Sequence, residues 1–248
     1  GYVGAIIDSG RIRLIPLLFG GGDAPLGELS LGGDAALRLG AAALAEGDFR
    51  LAAAAHAAMR AFPAGRPAAA RQAWLLRAGR VDLLAGYHAR GAAKLREYLE
   101  SFSALTAAQT DAVLQPIFDL QALDRHALAL PLLGRVDALA PVGKHRREIA
   151  FWLAESYAGV GDPRLAAAAF LRSAMAGADS FDRWGRAARL RAAEALLDAR
   201  LFADARRLLQ DLLAAAATDA RRIQLQQALQ RARLLEAAAD SPSPGASP

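Results

Sequence analysis

Cysteine is absent from this 248-residue chain. Its absence removes disulfides, thiolate nucleophiles, iron–sulfur clusters and cysteine-ligated zinc. Lysine is nearly absent too: of 30 basic residues only Lys94 and Lys144 are lysine. No Gly-x-x-x-x-Gly-Lys-Ser/Thr phosphate loop and no Gly-x-Gly-x-x-Gly fingerprint occurs, which removes the common nucleotide-binding motifs. Valine and isoleucine are sparse and threonine sparser, leaving little material for a large sheet. No uncharged apolar run approaches the roughly 20 residues of a membrane-spanning helix. The most apolar opening stretch, residues 3–19, is interrupted by Asp8, Arg11 and Arg13, a poor core for a secretory signal. Gly1-Tyr2 does not read as a native start. The sequence leaves the compartment open between bacterial cytoplasm and periplasm, the latter if an upstream signal or lipid anchor has been removed.

What the chain does contain is alanine, leucine and arginine, all strong helix formers. Alanine alone supplies 63 residues, and 54% of the chain is hydrophobic. Three regions separate. Residues 1–33 hold a β-like piece, Ile12-Arg13-Leu14-Ile15, which Asp8-Ser9-Gly10 could turn back onto Ala5-Ile6-Ile7 as a hairpin. Residues 34–239 are helical in pattern almost throughout. Residues 240–248, rich in serine and proline, lack apolar anchors and read as a disordered tail.

Within the helical region one phrase recurs: an apolar helix, a tight break, then an alanine-rich second helix. The breaks fall at Gly47, Gly86, Asp124, Gly161 and Arg200, at intervals of 39, 38, 37 and 39 residues. Near-constant spacing of this kind is the mark of stacked repeats. Glycine at a break permits the left-handed residue that ends a helix. Asp48 and Asp162 can cap the helix that follows, and Pro163 suits its first turn. Small residues, Gly40 with Ala52 and Ala154 with Ala166, allow the two helices of a hairpin to approach. Tyr157 and Phe170 are large enough to fill the space between hairpins. About eleven helices are expected, five hairpins and a last helix over 219–238 with Asp219 as N-cap. Gly32-Gly33-Asp34 reads as a turn and N-cap for the first of them. Pro116 falls inside the third hairpin's first helix and is expected to kink it.

The best copies, Leu153-Ala154, Tyr157, Gly161-Asp162, Ala166, Phe170 and Leu39-Gly40, Gly47-Asp48-Phe49, Ala52, resemble the tetratricopeptide repeat family. The fifth copy, Ala192-Ala193, Leu196, Phe202, Ala205, follows the pattern moderately. The second keeps Trp74, Gly79, Gly86 and Tyr87 but places Asp82 where a large residue is expected. The period also exceeds the usual 34. The resemblance implies an all-α fold: a right-handed α-solenoid of about five helix-turn-helix hairpins plus a C-terminal capping helix, preceded here by the short β-like segment.

Chemistry is hard to find. The histidines, His56, His88, His126 and His145, show no metal-ligand spacing. No Gly-x-Ser-x-Gly elbow surrounds Ser9. The expectation is a non-catalytic chain with no catalytic residue, cofactor or metal. The loop Gly20-Gly21-Gly22-Asp23 carries no ligand signature. Lys144-His145-Arg146-Arg147 together with Arg183, Arg186 and Arg189 could form one basic stripe. The net charge is only +5, so a solvated arginine face is the favoured reading, and nucleic acid is disfavoured for want of a stacking platform. The resemblance implies that first helices line a concave groove. Phe151, Glu155, Leu190 and Glu194, with Arg186 and Arg189 nearby, are then the candidate contacts for a protein or peptide partner. The function implied is a protein–protein interaction module or scaffold subunit. The alternative is a regulatory or adaptor domain of a larger enzyme. Residues 1–22 carry enough apolar side chains to suggest docking or assembly with another chain.

Overall fold

A computed structural model of the chain describes residues 2–19, 31–59, 62–140, 144–176 and 182–240. The glycine loop at 20–23 and the tail at 241–248 lie outside the described residues. Among them are thirteen helices: α1 (Tyr2–Asp8), α2 (Leu14–Phe19), α3 (Gly33–Ala45), α4 (Phe49–Ala57), α5 (Ala68–Leu84), α6 (His88–Glu100), α7 (Ala107–Ala122), α8 (His126–Leu139), α9 (Lys144–Gly159), α10 (Pro163–Met175), α11 (Arg183–Asp198), α12 (Phe202–Ala214) and α13 (Asp219–Asp240). No strand occurs among the described residues; an isolated bridge joins Leu31 and Met59. From α3 onward eleven helices follow in sequence, with the five breaks falling between α3 and α4, α5 and α6, α7 and α8, α9 and α10, and α11 and α12, and α13 last.

All five breaks carry a positive φ: Gly47 at 74°, Gly86 at 89°, Asp124 at 56°, Gly161 at 80° and Arg200 at 60°. The hydrogen bonds explain why. At the first break Gly47 N–H donates to the Leu44 carbonyl and Asp48 N–H to that of Ala43. This pair of bonds closes the end of a helix around one left-handed residue. The same pair recurs at Gly86, Gly161 and Arg200. Asp48 and Asp162 then cap the next helix, their carboxylates accepting from the N–H groups of Leu51 and Leu165. Pro163 occupies the first turn of α10. Arg200 adopts the left-handed conformation at a cost that glycine would not carry. Arg200→Gly is therefore expected to stabilise the chain by about 1 kcal/mol, and Gly161→Ala to destabilise it by a similar amount. Urea unfolding midpoints moving in opposite directions would establish this.

The chain divides into two compact units, residues 1–103 with 112–120, and residues 104–111 with 121–248. In the first, α3 packs on α4, α4 on α5 and α5 on α6. The α5–α6 contact is close because it is built on glycines. A Cβ added to Gly91 would lie 2.7 Å from the Gly79 carbonyl oxygen. In the second unit α8 through α13 pack each on the next. Their core centres on Phe170, with Ala154, Ala166, Ala192 and Ala205 fully enclosed around it. Helix α7 continues through Pro116 and α8 through Pro131, so neither proline ends its helix.

The N-terminal segment corrects the β-like expectation. Residues 2–8 and 14–19 are helices, and Ser9-Gly10 is a turn between them rather than a hairpin tip. The side-chain spacing explains the difference. Val3, Ile6 and Ile7 fall at i, i+3 and i+4, a helical stripe. Ile12 and Ile15 are 1% and 0% exposed while Leu14 between them is 39% exposed, which a strand's alternation does not allow. Both isoleucines enter the core of the first hairpin beside Leu39, Ala43 and Leu51.

Two helix starts also differ from expectation. Gly32, not Asp34, is the N-cap of α3, and Asp34 sits in its first turn, where a carboxylate favours the positive end of the helix dipole. At α13 the Thr218 hydroxyl accepts from the Arg221 N–H at 3.4 Å, so Thr218 rather than Asp219 takes the cap position. The polar side chains Arg222, Gln224, Gln227 and Arg231 of that helix face water.

Candidate protein-binding face

The residues expected to touch a partner lie on α9 and α11, in the second unit. Phe151 is half-buried, its ring 5.3 Å from that of Phe170 and 5.6 Å from that of Trp152, both edge-on. It is thus part of the core wall, with one side open. Leu190 packs against the same core. Glu155 and Glu194 are brought together by a residue that the sequence reading did not select, Arg191. Its guanidinium donates to both carboxylate oxygens of Glu155, at 2.9 and 2.8 Å, and to Glu194 at 2.9 Å. It also lies 5.5 Å from the centre of the Phe170 ring. Burial alone would lower the Arg191 pKa; hydrogen bonds and charge from Glu155, then Glu194, more than reverse this and hold it above its ordinary value. A two-toothed arginine–carboxylate pair over an aromatic ring is a fixed element, unlike a single surface ion pair. Arg186 and Arg189 have interaction partners of their own.

Arg191 belongs to a larger pattern. Ion pairs join a side chain on one repeat to one on the next, at separations close to the repeat itself. In the second unit Asp111 meets His145 at 2.9 Å, Asp137 meets Arg172 at 2.8 Å and Arg147 meets Asp182 at 2.6 Å. In the first, Asp34 meets Arg66 at 2.5 Å and Arg80 meets Asp119 at 3.3 Å. The signal was present in the sequence as opposite charges one period apart, but nothing in helical spacing of three or four reveals it.

This pattern bears on the basic stripe. His145 and Arg147 are engaged by carboxylates, and Asp182, the N-cap of α11, is held below the usual carboxyl range first by the Arg147 hydrogen bond and then by the Gly185 N–H. His88 and His126 are the first residues of α6 and α8, in different units. His126 lies against Gly159, and its Nδ1 is 3.5 Å from the Ser156 hydroxyl. Gln121 donates to that hydroxyl at 2.7 Å and to the Trp152 carbonyl at 2.9 Å. These are contacts within the second unit. Among the described residues no three His, Asp or Glu side chains converge as a metal site would require. None of the described helices is long and apolar enough to cross a membrane.

No protein-family model matches the chain, and no curated protein matches it. Among solved structures it is similar to the C-terminal part of a TPR repeat-containing protein from Cytophaga hutchinsonii. That alignment has 11% identity and a TM-score of 0.38, and covers 98% of this chain and 96% of that one.

Proposed function

We propose that the chain is a non-catalytic protein–protein interaction module or scaffold subunit, holding a segment of a partner protein on the face formed by α9 and α11. The observation that carries this reading is the Arg191 cluster. Two carboxylates, a guanidinium and an aromatic pair are fixed in one place on neighbouring helices, with Glu194 and part of Phe151 open to solvent. A half-open aromatic beside oriented polar groups is the usual composition of a binding hot spot. Arg186, Arg189 and Leu190 complete the proposed contact set with Phe151, Glu155 and Glu194.

A photo-crosslinking residue at position 194 should trap a partner protein in cells. Binding of that purified partner should weaken about tenfold with Glu194→Arg, the loss of about 1.4 kcal/mol. Phe151→Ala should weaken it further while the helical circular dichroism is retained. Crosslinks that form only from other surfaces, or equal affinity for all three proteins, would move the site elsewhere.

A further inference from the structure

The first unit carries an open groove that the proposed function does not use. It consists of two adjoining cavities that share Arg13 and Glu46. One, of about 510 Å³, lies against Gly10, Arg11 and Leu14. The other, of about 610 Å³, runs along the turns of the first two hairpins, from Phe49 and Arg50 to Leu84. Both are wide, shallow depressions that stand open to solvent.

The chemistry of the walls is specific. Leu14, Phe49 and Leu84 are each more than a third exposed. Three arginines line the groove, with two acids among them. The Asp48 carboxylate accepts from the Leu51 N–H through one oxygen and keeps its negative charge. Glu46 lies 3.7 Å from Arg13, a loose and solvent-exposed pair. Arg11 and Arg50 are exposed and have no ion-pair partner among the described residues. The groove therefore offers apolar ledges with an excess of one positive charge among them, carried by arginines outnumbering acids three to two.

We infer that this groove binds an extended peptide segment in which acidic and apolar side chains alternate. Alternation sends successive side chains of an extended chain to opposite sides, so carboxylates can meet Arg11 and Arg50 while apolar groups cover Leu14, Phe49 and Leu84. An anionic membrane is the less suited occupant. The most exposed large apolar side chains of the first unit, Tyr2, Leu17 and Leu18, are not groove-lining, and a lipid surface would take those first.

The test uses the full chain and a labelled peptide alternating glutamate and leucine, read by fluorescence anisotropy. Saturable binding is expected, weakening with added salt. The double variant Arg11→Glu/Arg50→Glu should bind about tenfold less tightly, with unchanged circular dichroism since both side chains are on the surface. The same peptide with lysine for glutamate should bind at least as poorly. Phe49→Ser should weaken binding without altering the salt dependence. Equal affinity of wild type and the double arginine variant, or equal binding of the lysine peptide, would overturn the proposal. So would failure of the peptide to bind while the chain cosediments with phosphatidylserine vesicles in a manner abolished by Leu17→Asp/Leu18→Asp. The groove and the α9–α11 face lie in different units, and either can fail while the other stands.

Discussion

Between pH 6.5 and pH 4 the chain is expected to lose about 3 kcal/mol of stability through one side chain, His56. The imidazole is 5% exposed and its pKa is lowered from 6.5 to about 4, chiefly by burial. Asp82 pulls it upward, while Lys94, Arg77 and Arg90 push it further down. The surroundings explain why burial wins. From α3, Gly40 leaves no side chain between the helices, so the ring occupies the space a Cβ would need: that Cβ would lie 2.6 Å from Nε2. From α5, the Trp74 ring closes the other side, edge-on at 6.2 Å. Nδ1 has no hydrogen-bond partner, so a protonated ring would have a donor with nothing to meet. The direction follows. The unfolded chain takes up a proton near pH 6.5 and the folded chain only near pH 4, so the unfolded state binds more protons in between. This contribution is intact above pH 6.5 and is lost progressively as pH falls toward 4. Urea melts of the wild type and of His56→Met across that range would isolate it, because the carboxylates titrate in both proteins. The wild type should lose stability relative to His56→Met as pH falls from 6.5 toward 4, whichever is the more stable at neutral pH; parallel curves would show that His56 is not the group responsible.

His56 also shows where sequence reading stops. Its position on the second helix of the first hairpin is legible from the repeat phrase, but the sequence sets the small Gly40 against Ala52, whereas in the structure it faces His56. That the ring itself fills the missing Cβ space is not legible, because that depends on how closely two helices meet. The five breaks were legible in full, since a left-handed residue followed by a cap leaves a local signature in glycine and aspartate. Even Asp124 and Arg200, which lack glycine, were found by period. The N-terminal segment reads as β-like because Arg11-Ile-Arg-Leu-Ile15 partly alternates, while the residues that are buried, Ile12 and Ile15, are three apart, a helical spacing. Arg191 was missed for a different reason. Its partner Glu155 lies 36 residues away, far outside the three- and four-residue spacing that joins side chains along one helix. In a repeat protein the neighbours of a side chain are one period distant, so the ion-pair pattern becomes readable once the period is known. The partner contacts proposed for Phe151 and Glu194 are encoded by no intrachain pattern.

The largest loss expected from any single substitution is at Asp82, the residue that departs from the repeat pattern. Its side chain is completely buried, where neighbouring repeats place an apolar group. Two cations from α6 compensate it: Arg90 donates to Oδ1 at 2.7 Å and Lys94 to Oδ2. The Lys94 side chain is itself only 14% exposed. Removing the carboxylate leaves that ammonium group in a poorly solvated place without its partner. Asp82→Ala is therefore expected to cost about 3–5 kcal/mol, the usual penalty for breaking a buried ion pair from one side. It also removes the one charge that raises the His56 pKa, so the imidazole should become still harder to protonate. The pair need not be a net source of stability, because desolvating both charges offsets much of their attraction. Asp82→Leu with Lys94→Met replaces both charges with apolar groups and restores the large residue the repeat pattern calls for. That double variant should recover most of the loss and can equal the wild type, while Arg90, more exposed, remains stacked on Tyr87. Denaturant melts of the single and double variants would decide between the two accounts of the site. A single substitution that costs less than about 1 kcal/mol would place the pair energetically with surface ion pairs. A double variant no better than the single one would mean that the charges hold the α5–α6 contact in a way apolar packing cannot.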